Sequence, residues 1–268
     1  MHVAQTVARE AGELVRAGRE GEVSVAGTKS SAQDVVTAMD LASEALLRRR
    51  LAELRPDDGL LGEEGSLTPG SSGVWWVVDP IDGTVNYLYG LPAYAVSVAA
   101  VRSPVGTSPD PATWTVLAGC VLAPKDGRVF LAGLGQGATL DGRTLQVNEP
   151  QPLIGCLVGT GFGYVAARRR NQARVVAGLL PQVRDIRRIG SAALDLCTLA
   201  SGGLDLYYER GLQPWDLAAG SLVAQEAGAV VTGLRGHRAG EAMTVAGPPG
   251  RVEELVAYLE ASDADQDS

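Results

Sequence analysis

The sequence predicts a mixed chain, α+β over its first part and α/β over its second. Three observations carry this. Apolar residues recur at helical spacing near the start, short apolar runs separated by turn residues follow, and from Leu153 strand-like and helix-like segments alternate. The expected division is an N-terminal half over 1–150, a C-terminal half over 151–262 and an acidic tail over 263–268, forming one integrated unit.

Val3, Val7, Ala11, Leu14 and Val15 define a first amphipathic helix. Leu41, Ala45, Leu47, Leu51 and Leu54 define a second, with Asp40 as its N-cap and Pro56 just beyond its end. The stretch from Gly27 to Asp40 is too polar and irregular for a core element and is expected to be an ordered loop. Apolar runs then centre on Leu60, Trp76, Val96, Leu117 and Phe130, and Lys125-Asp126-Gly127 and Asp141-Gly142 signal hairpins. These runs predict a largely antiparallel sheet. The charge-free stretch Gly83 to Val101 contains Asn86, Gly90 and Pro92 and reads as buried loop and strand, not a membrane helix. Beyond Leu153 the expected order is strand, helix (Ala167 to Leu180), strand, helix (Ser191 to Gly203), strand (Leu204 to Glu209), helix (from Asp216), two strands and a last helix. The final residues are expected to form a solvated acidic tail.

With 268 residues, 46% of them hydrophobic, the chain can bury a sizeable core. Two histidines leave His237 alone to build a zinc site or a Ser-His-Asp triad, which disfavours both. Cys120, Cys156 and Cys197 are separated and set in apolar runs, which suits reduced thiols and a cytoplasmic location. The start lacks a secretory pattern. A net charge of −8 disfavours general nucleic-acid binding, and adjacent Arg168, Arg169 and Arg170 on a helix point in different directions. A small phosphorylated substrate stays open.

Carboxylates that interrupt apolar runs stand out from those that merely solvate the surface. Glu63 and Glu64 end one strand-like run, Asp79 and Asp82 end a second, Glu209 ends a third, and Asp216 follows Trp215 at a helix start. Strand ends are where α/β folds commonly place sites, and converging carboxylates need a cation to offset their repulsion. An all-oxygen set favours Mg²⁺. Pro80 stiffens the turn between Asp79 and Asp82, and the Ile81 carbonyl is a further oxygen ligand. Gly83-Thr84 lets backbone approach a ligand and, if a helix starts there, presents free N–H groups to an anion. Taken singly, the two glutamates are a solvated turn and Asp216 a helix cap; found in order, they point to metal-assisted phosphate chemistry.

The chain resembles the inositol monophosphatase family of Mg²⁺-dependent, lithium-sensitive phosphatases. The matching stretches are Lys29-Ser30-Ser31 with Asp34 to Asp40, Leu61 to Glu64, Trp76 to Tyr87, Gly159 to Phe162, Arg188 to Ala193, Gly203 to Glu209 and Trp215 to Gly220. The resemblance implies a layered αβαβα sugar-phosphatase fold, a homodimer, and hydrolysis of inositol phosphate. It implies two to three Mg²⁺ ions: Glu63, Asp79 and the Ile81 carbonyl at the first, Asp79, Asp82 and Asp216 at the second, and a weaker third near Glu63. Glu64 stands behind the ligands. Gly83 and Thr84 are implied to bind phosphate, and Asp82, Ala192 and Glu209 to face the inositol hydroxyls. Thr84 and Asp40 match the pair that orients the attacking water.

Lys29 is one of two lysines among otherwise arginine cations, and a flexible ammonium near metals or phosphate suits it; its bland alternative is a surface lysine. Gln213 stands where animal relatives carry a histidine near the substrate. Gly161-Phe162-Gly163-Tyr164 either lines the mouth of the site or is an ordinary strand-to-helix turn. The leading expectation is a phosphatase acting on inositol 1-phosphate. Relatives with the same metal motifs cleave histidinol phosphate, 3′-phosphoadenosine 5′-phosphate or fructose 1,6-bisphosphate. Some bacterial relatives instead bind RNA or the transcription machinery.

Overall fold

The computed structural model describes residues 1–21, 23, 25–28, 35–65, 67–104 and 107–267. Helices α1 (His2–Gly18) and α2 (Ala38–Leu54) lie side by side on one face of a seven-stranded sheet. Its strands are β3 (Gly59–Gly62), β4 (Val74–Asp82), β5 (Ala95–Arg102), β6 (Thr115–Ala123), β7 (Arg128–Gly133), β8 (Ala138–Leu140) and β9 (Arg143–Thr144), in that spatial order. β3 pairs parallel to β4, and every later neighbour is antiparallel.

This sheet is covered on both sides, so its central strands read as continuous apolar runs. Trp76 and Val78 point to α1 and α2 together with Val96, Val98, Cys120 and Leu122. Trp75, Val77, Ala99 and Val121 face the other way, onto α5 (Ala192–Ala200) and α6 (Pro214–Glu226). Beyond those helices lies a five-stranded sheet of β10 (Leu157–Thr160), β11 (Asp185–Arg187), β12 (Leu206–Glu209), β13 (Val230–Thr232) and β14 (Thr244–Gly247), in the order β11-β10-β12-β14-β13. Helices α4 (Ala166–Leu179) and α7 (Val252–Ala261) close its far face over Val158, Leu206 and Val245. The layers are therefore αβαβα, with two apolar interfaces around the first sheet and a third outside the second.

Four local expectations are corrected. The stretch predicted as a loop from Gly27 has paired ends: β1 (Val25–Thr28) and β2 (Val35–Thr37) form an antiparallel ribbon, because valines at both ends favour extended pairing. The cap of α2 is Thr37, not Asp40. The Thr37 hydroxyl accepts from Met39 and Asp40 N–H, and Asp40 Oδ2 accepts from Thr37 N–H at 2.8 Å, a reciprocal capping box. The segment after Gly83 contains a short helix, α3 (Thr84–Tyr89). Finally, the acidic tail is not solvated along its length. Ala264 is buried in the third core, and the buried Asn171 amide donates to the Asp263 and Gln266 carbonyls at 2.9 and 2.7 Å. Arginines on neighbouring elements neutralise the acidic side chains, which composition alone does not reveal.

Candidate active site

Pairing between β4 and β5 is irregular from Asp79 to Asp82, and this break re-aims both carboxylates. Asp79 is 1% exposed, and its Oδ1 accepts from Ile81 N–H at 3.0 Å, which folds the turn over Pro80. The Ser43 hydroxyl on α2 donates to the Pro80 carbonyl at 3.2 Å and braces the same turn. Asp82 meets the start of α5: its Oδ2 accepts from the Ser191 hydroxyl at 2.6 Å and Ala193 N–H at 2.7 Å. Asp216 sits in the first turn of α6 and commits Oδ2 to Gln213 N–H at 2.7 Å. Asp40 and Asp216 thus share a device. One oxygen caps a helix, and the other is left to serve the site.

Oxygens of Asp79, Asp82 and Asp216 lie within 4.8 Å of one another. Burial pushes Asp79 well above the usual carboxylate range, and repulsion from Glu63, Asp82 and Asp216 adds to it. Asp216 is raised for the same reasons, burial first and then Asp82 and Glu63. Burial also lifts Asp82, to about 6, against the Ser191 and Ala193 donors that hold it down. Such a buried, mutually repelling, all-oxygen set fits a hard divalent cation, which would supply the charge that offsets it.

At Gly83 the backbone is left-handed, φ 94°, and a Cβ there would come 2.9 Å from the Ala93 carbonyl oxygen and 3.0 Å from that of Gly190. Glycine is required for the chain to enter α3. Thr84 opens that helix, with its hydroxyl 3.0 Å from both Asp40 Oδ1 and the Ile81 carbonyl. Its single proton serves one acceptor at a time, so engaging the Ile81 oxygen elsewhere would turn the hydroxyl onto Asp40. On the opposite wall, the buried Tyr207 hydroxyl donates to Glu209 Oε2 at 2.7 Å, while burial raises Glu209 to about 7.

These groups line one cavity of about 450 Å³. Glu63, Asp79, Ile81, Asp82, Gly83, Thr84, Ala192, Glu209, Gln213 and Asp216 all border it, as do Phe162, Gly163 and Tyr164 of the strand-to-helix turn. Gln213 turns its side-chain amide onto the Gly211 carbonyl at 3.3 Å. Asp40 stands behind Thr84, and Glu64 does not border the cavity. Lys29 lies outside the described residues.

Several contributors escape sequence reasoning. Glu44, 2% exposed on α2, accepts from Glu64 N–H at 2.7 Å and from Arg48 at 2.8 Å, and so seats the turn that carries Glu63. The Asn86 amide bridges the Ala93 and Ile189 carbonyls at 2.7 and 3.0 Å, tying α3 to the approach to α5. Asp195, 1% exposed on α5, is pushed well above the usual carboxylate range by burial and by Glu209 and Asp82. Its one sequence signal is a charge inside an apolar helix. Arg168, Arg188 and Arg210 border the cavity too; Arg210 directly follows Glu209 and Arg188 opens a motif stretch, but the sequence reading gives none of the three a place in the site.

An αβαβα fold that gathers carboxylates at strand ends and helix starts around one cavity defines a phosphatase class. The chain belongs to the inositol monophosphatase family, whose model matches residues 1–263. It is 48% identical to an inositol-1-monophosphatase of Mycobacterium bovis, over 96% of this chain and 92% of that protein. It is also 35% identical to a protein of Vibrio cholerae named Nus factor SuhB, over 88% of this chain and 85% of the relative. The solved structure of Mycobacterium tuberculosis SuhB superposes with a TM-score of 0.81 at 43% identity, covering 99% of this chain and 97% of that one. Among the described residues, no helix is long and apolar enough to cross a membrane.

Proposed function

We propose that the chain is a Mg²⁺-dependent phosphomonoesterase that hydrolyses myo-inositol 1-phosphate to inositol and phosphate. The observation that carries this is the trio of Asp79, Asp82 and Asp216, within 4.8 Å of one another beside the Thr84–Asp40 pair. Glu63, Asp79, the Ile81 carbonyl, Asp82 and Asp216 would hold two to three Mg²⁺ ions. When bound, these ions supply an acidified water and neutralise charge on the phosphoryl and leaving oxygens.

The chain's own residues do the rest. Asp40 accepts the Thr84 proton, which leaves the Thr84 oxygen lone pairs to accept from a water and aim it at phosphorus. That water oxygen forms the new bond to phosphorus as the bond from phosphorus to the ester oxygen breaks; the water gives up a proton and the departing alkoxide takes one up from solvent, so that inositol and inorganic phosphate are released. Glu209, held by Tyr207, accepts from polyol hydroxyls, and the Ala192 segment walls the ring. Three free, buried thiols support a cytoplasmic site of action. A homodimer, read by light scattering, belongs to the same proposal.

The test is phosphate release from inositol 1-phosphate, histidinol phosphate, 3′-phosphoadenosine 5′-phosphate and fructose 1,6-bisphosphate, with Mg²⁺, with chelator and with Li⁺. Preference for inositol 1-phosphate, lost with chelator and inhibited by Li⁺, is the expected result; preference for another ester overturns the substrate. The Vibrio cholerae relative's name favours one second reading, a role in transcription. Asp79→Asn separates the two, since a binding role survives it and hydrolysis does not.

A further inference from the structure

Two buried amides stand side by side on α4, and neither belongs to the carboxylate cluster. Gln172 heads the inward face of the helix, ahead of Val175 and Leu179 at helical spacing, where an apolar side chain would ordinarily pack. It is 8% exposed, and an amide so buried costs free energy unless both its ends are paired. Its Oε1 accepts from Gly163 N–H at 3.1 Å, and its Nε2 donates to the Gly161 carbonyl at 3.4 Å. One carboxamide thus bridges the backbone on either side of Phe162. Arg169 adds an exposed tether, donating to the Gly163 carbonyl at 3.3 Å. Asn171 ties the helix itself down: 2% exposed, it accepts from Arg174 at 2.6 Å and donates to the Asp263 and Gln266 carbonyls at 2.9 and 2.7 Å.

The backbone held this way is the seat of Glu209. β10 runs parallel to β12 with Thr160 beside Tyr208, and the next step along both strands brings Gly161 to Glu209. A Cβ on Gly161 would overlap the Glu209 carboxylate, so the carboxylate rests on bare backbone. The Tyr207 hydroxyl fixes one of its oxygens, and the Gly161 peptide backs the group as a whole. Gln172 has little room to swing aside, because the space it encloses with Gly161, Tyr208, Arg210 and Ala264 is about 10 Å³, about what one water needs. Glu209 borders the main cavity and Gln172 does not. An effect of Gln172 on substrate therefore runs through the backbone it holds.

We propose that Gln172 is a positioning residue that sets the preference of the site for hydroxyl-bearing phosphate esters, by fixing the Gly161–Gly163 backbone on which the Glu209 carboxylate rests. A carboxylate selects a hydroxyl only while it is held in place, and a displacement of about 1 Å can cost up to about a hundredfold. Without the clamp the turn relaxes away from β12, and Glu209 loses its backing on the side opposite Tyr207. An ester whose leaving group carries no hydroxyl makes no use of Glu209 and is indifferent to the change. The inference rests on the phosphomonoesterase reading, with Glu209 accepting from the polyol, and adds to it a residue outside the cavity.

Phosphate release from inositol 1-phosphate and from phenyl phosphate, whose leaving group has no further hydroxyl, is measured with Mg²⁺ for the wild type, Gln172→Met, Glu209→Gln and the double variant. Methionine keeps the length and volume of glutamine and drops both hydrogen bonds. Gln172→Met is expected to lower the inositol-to-phenyl ratio of kcat/KM about tenfold, chiefly through KM for inositol 1-phosphate, with phenyl phosphate turnover within about twofold of wild type. In the Glu209→Gln background the same substitution should change the ratio by no more than about twofold, because two residues acting through one contact are not additive. An unchanged ratio in Gln172→Met, equal losses on both esters, or a loss that persists in full without Glu209 overturns the inference and leaves Gln172 a structural tie. Gln172→Asn, which keeps the amide but withdraws it by one methylene, takes the same test if the methionine variant does not fold. A wild-type ratio in Glu209→Gln overturns the assignment of Glu209 to the polyol, and the inference with it. If neither ester is hydrolysed, the phosphatase reading falls; calorimetric titration with the same two esters then reads the clamp by the same ratio in Kd, and equal Kd ratios in wild type and Gln172→Met overturn it.

Discussion

At the scale of single residues, the site trades stability for chemistry. Asp79 is buried among three other carboxylates that raise its pKa, so in the metal-free chain it is a source of repulsion. Asp79→Asn keeps the shape and the acceptor for Ile81 N–H while removing that charge. We expect turnover to fall by at least about a thousandfold and the metal-free protein to gain about 1–3 kcal/mol, because relieving an uncompensated buried charge is worth that much. Phosphate release and urea unfolding on the same sample check both halves; loss of activity with loss of stability would mean simple misfolding. Tyr207→Phe probes the opposite wall. The tyrosine donor lowers the Glu209 pKa from where burial alone would put it, so its loss should move the pH dependence of KM for inositol 1-phosphate upward from about 7. An unmoved profile would show that Glu209 does not meet substrate in its ionised form.

At the scale of elements, the turn after β3 depends on α2 through Glu44. Its carboxylate takes Glu64 N–H and the Arg48 guanidinium together while 2% exposed, so truncation leaves a buried donor and a cation unpaired. Glu44→Ala should cost about 2–4 kcal/mol and raise the Mg²⁺ concentration for half-maximal activity several-fold, because Glu63 loses its support. Glu44→Gln keeps an acceptor and should recover part of both; equal Mg²⁺ requirements in all three proteins would detach Glu44 from the site. The same element shows what was legible beforehand. Glu63, Asp79, Asp82 and Asp216 stand out because each puts charge next to an apolar run, a local signal. The Thr37–Asp40 capping box is equally local, yet the apolar period begins after Asp40 and so points to Asp40 as the cap. Glu44 on α2 was not legible, since a helical surface glutamate and one folded under a turn look alike in sequence. The meeting of Arg168 with Asp267, 99 residues apart, depends wholly on how α4 packs.

At the scale of the molecule, the layers set how stability responds to pH and metal. Apolar runs and turn signals predict an α+β first half and an α/β second half, and the αβαβα layering is what the family resemblance implies; the folding-back of the acidic end has no such signal. The ion-paired Asp185 on β11 and the site carboxylates respond to protons in opposite ways. Unfolded carboxyls titrate near 4, whereas in the folded metal-free chain Asp82 is raised to about 6 and Glu209 to about 7. Between roughly pH 4 and 7 the folded state therefore binds more protons, and its stability falls as pH rises through that window. Asp185, lowered by its hydrogen bond from Arg187, acts the other way: its stabilisation is present above the unfolded pKa of about 4 and is lost below it. The metal-free protein should be most stable near pH 4, where the two trends meet, and lose on the order of a few kcal/mol by pH 8. Mg²⁺, binding only the folded carboxylate cluster, should restore Tm above pH 7 and flatten the slope. Thermal unfolding from pH 5 to 8 with chelator and with Mg²⁺ measures this. A metal-free Tm that climbs steadily with pH would mean that the buried carboxylates are already neutralised by groups of the chain itself, and the cation-dependent reading of the site would fall with it.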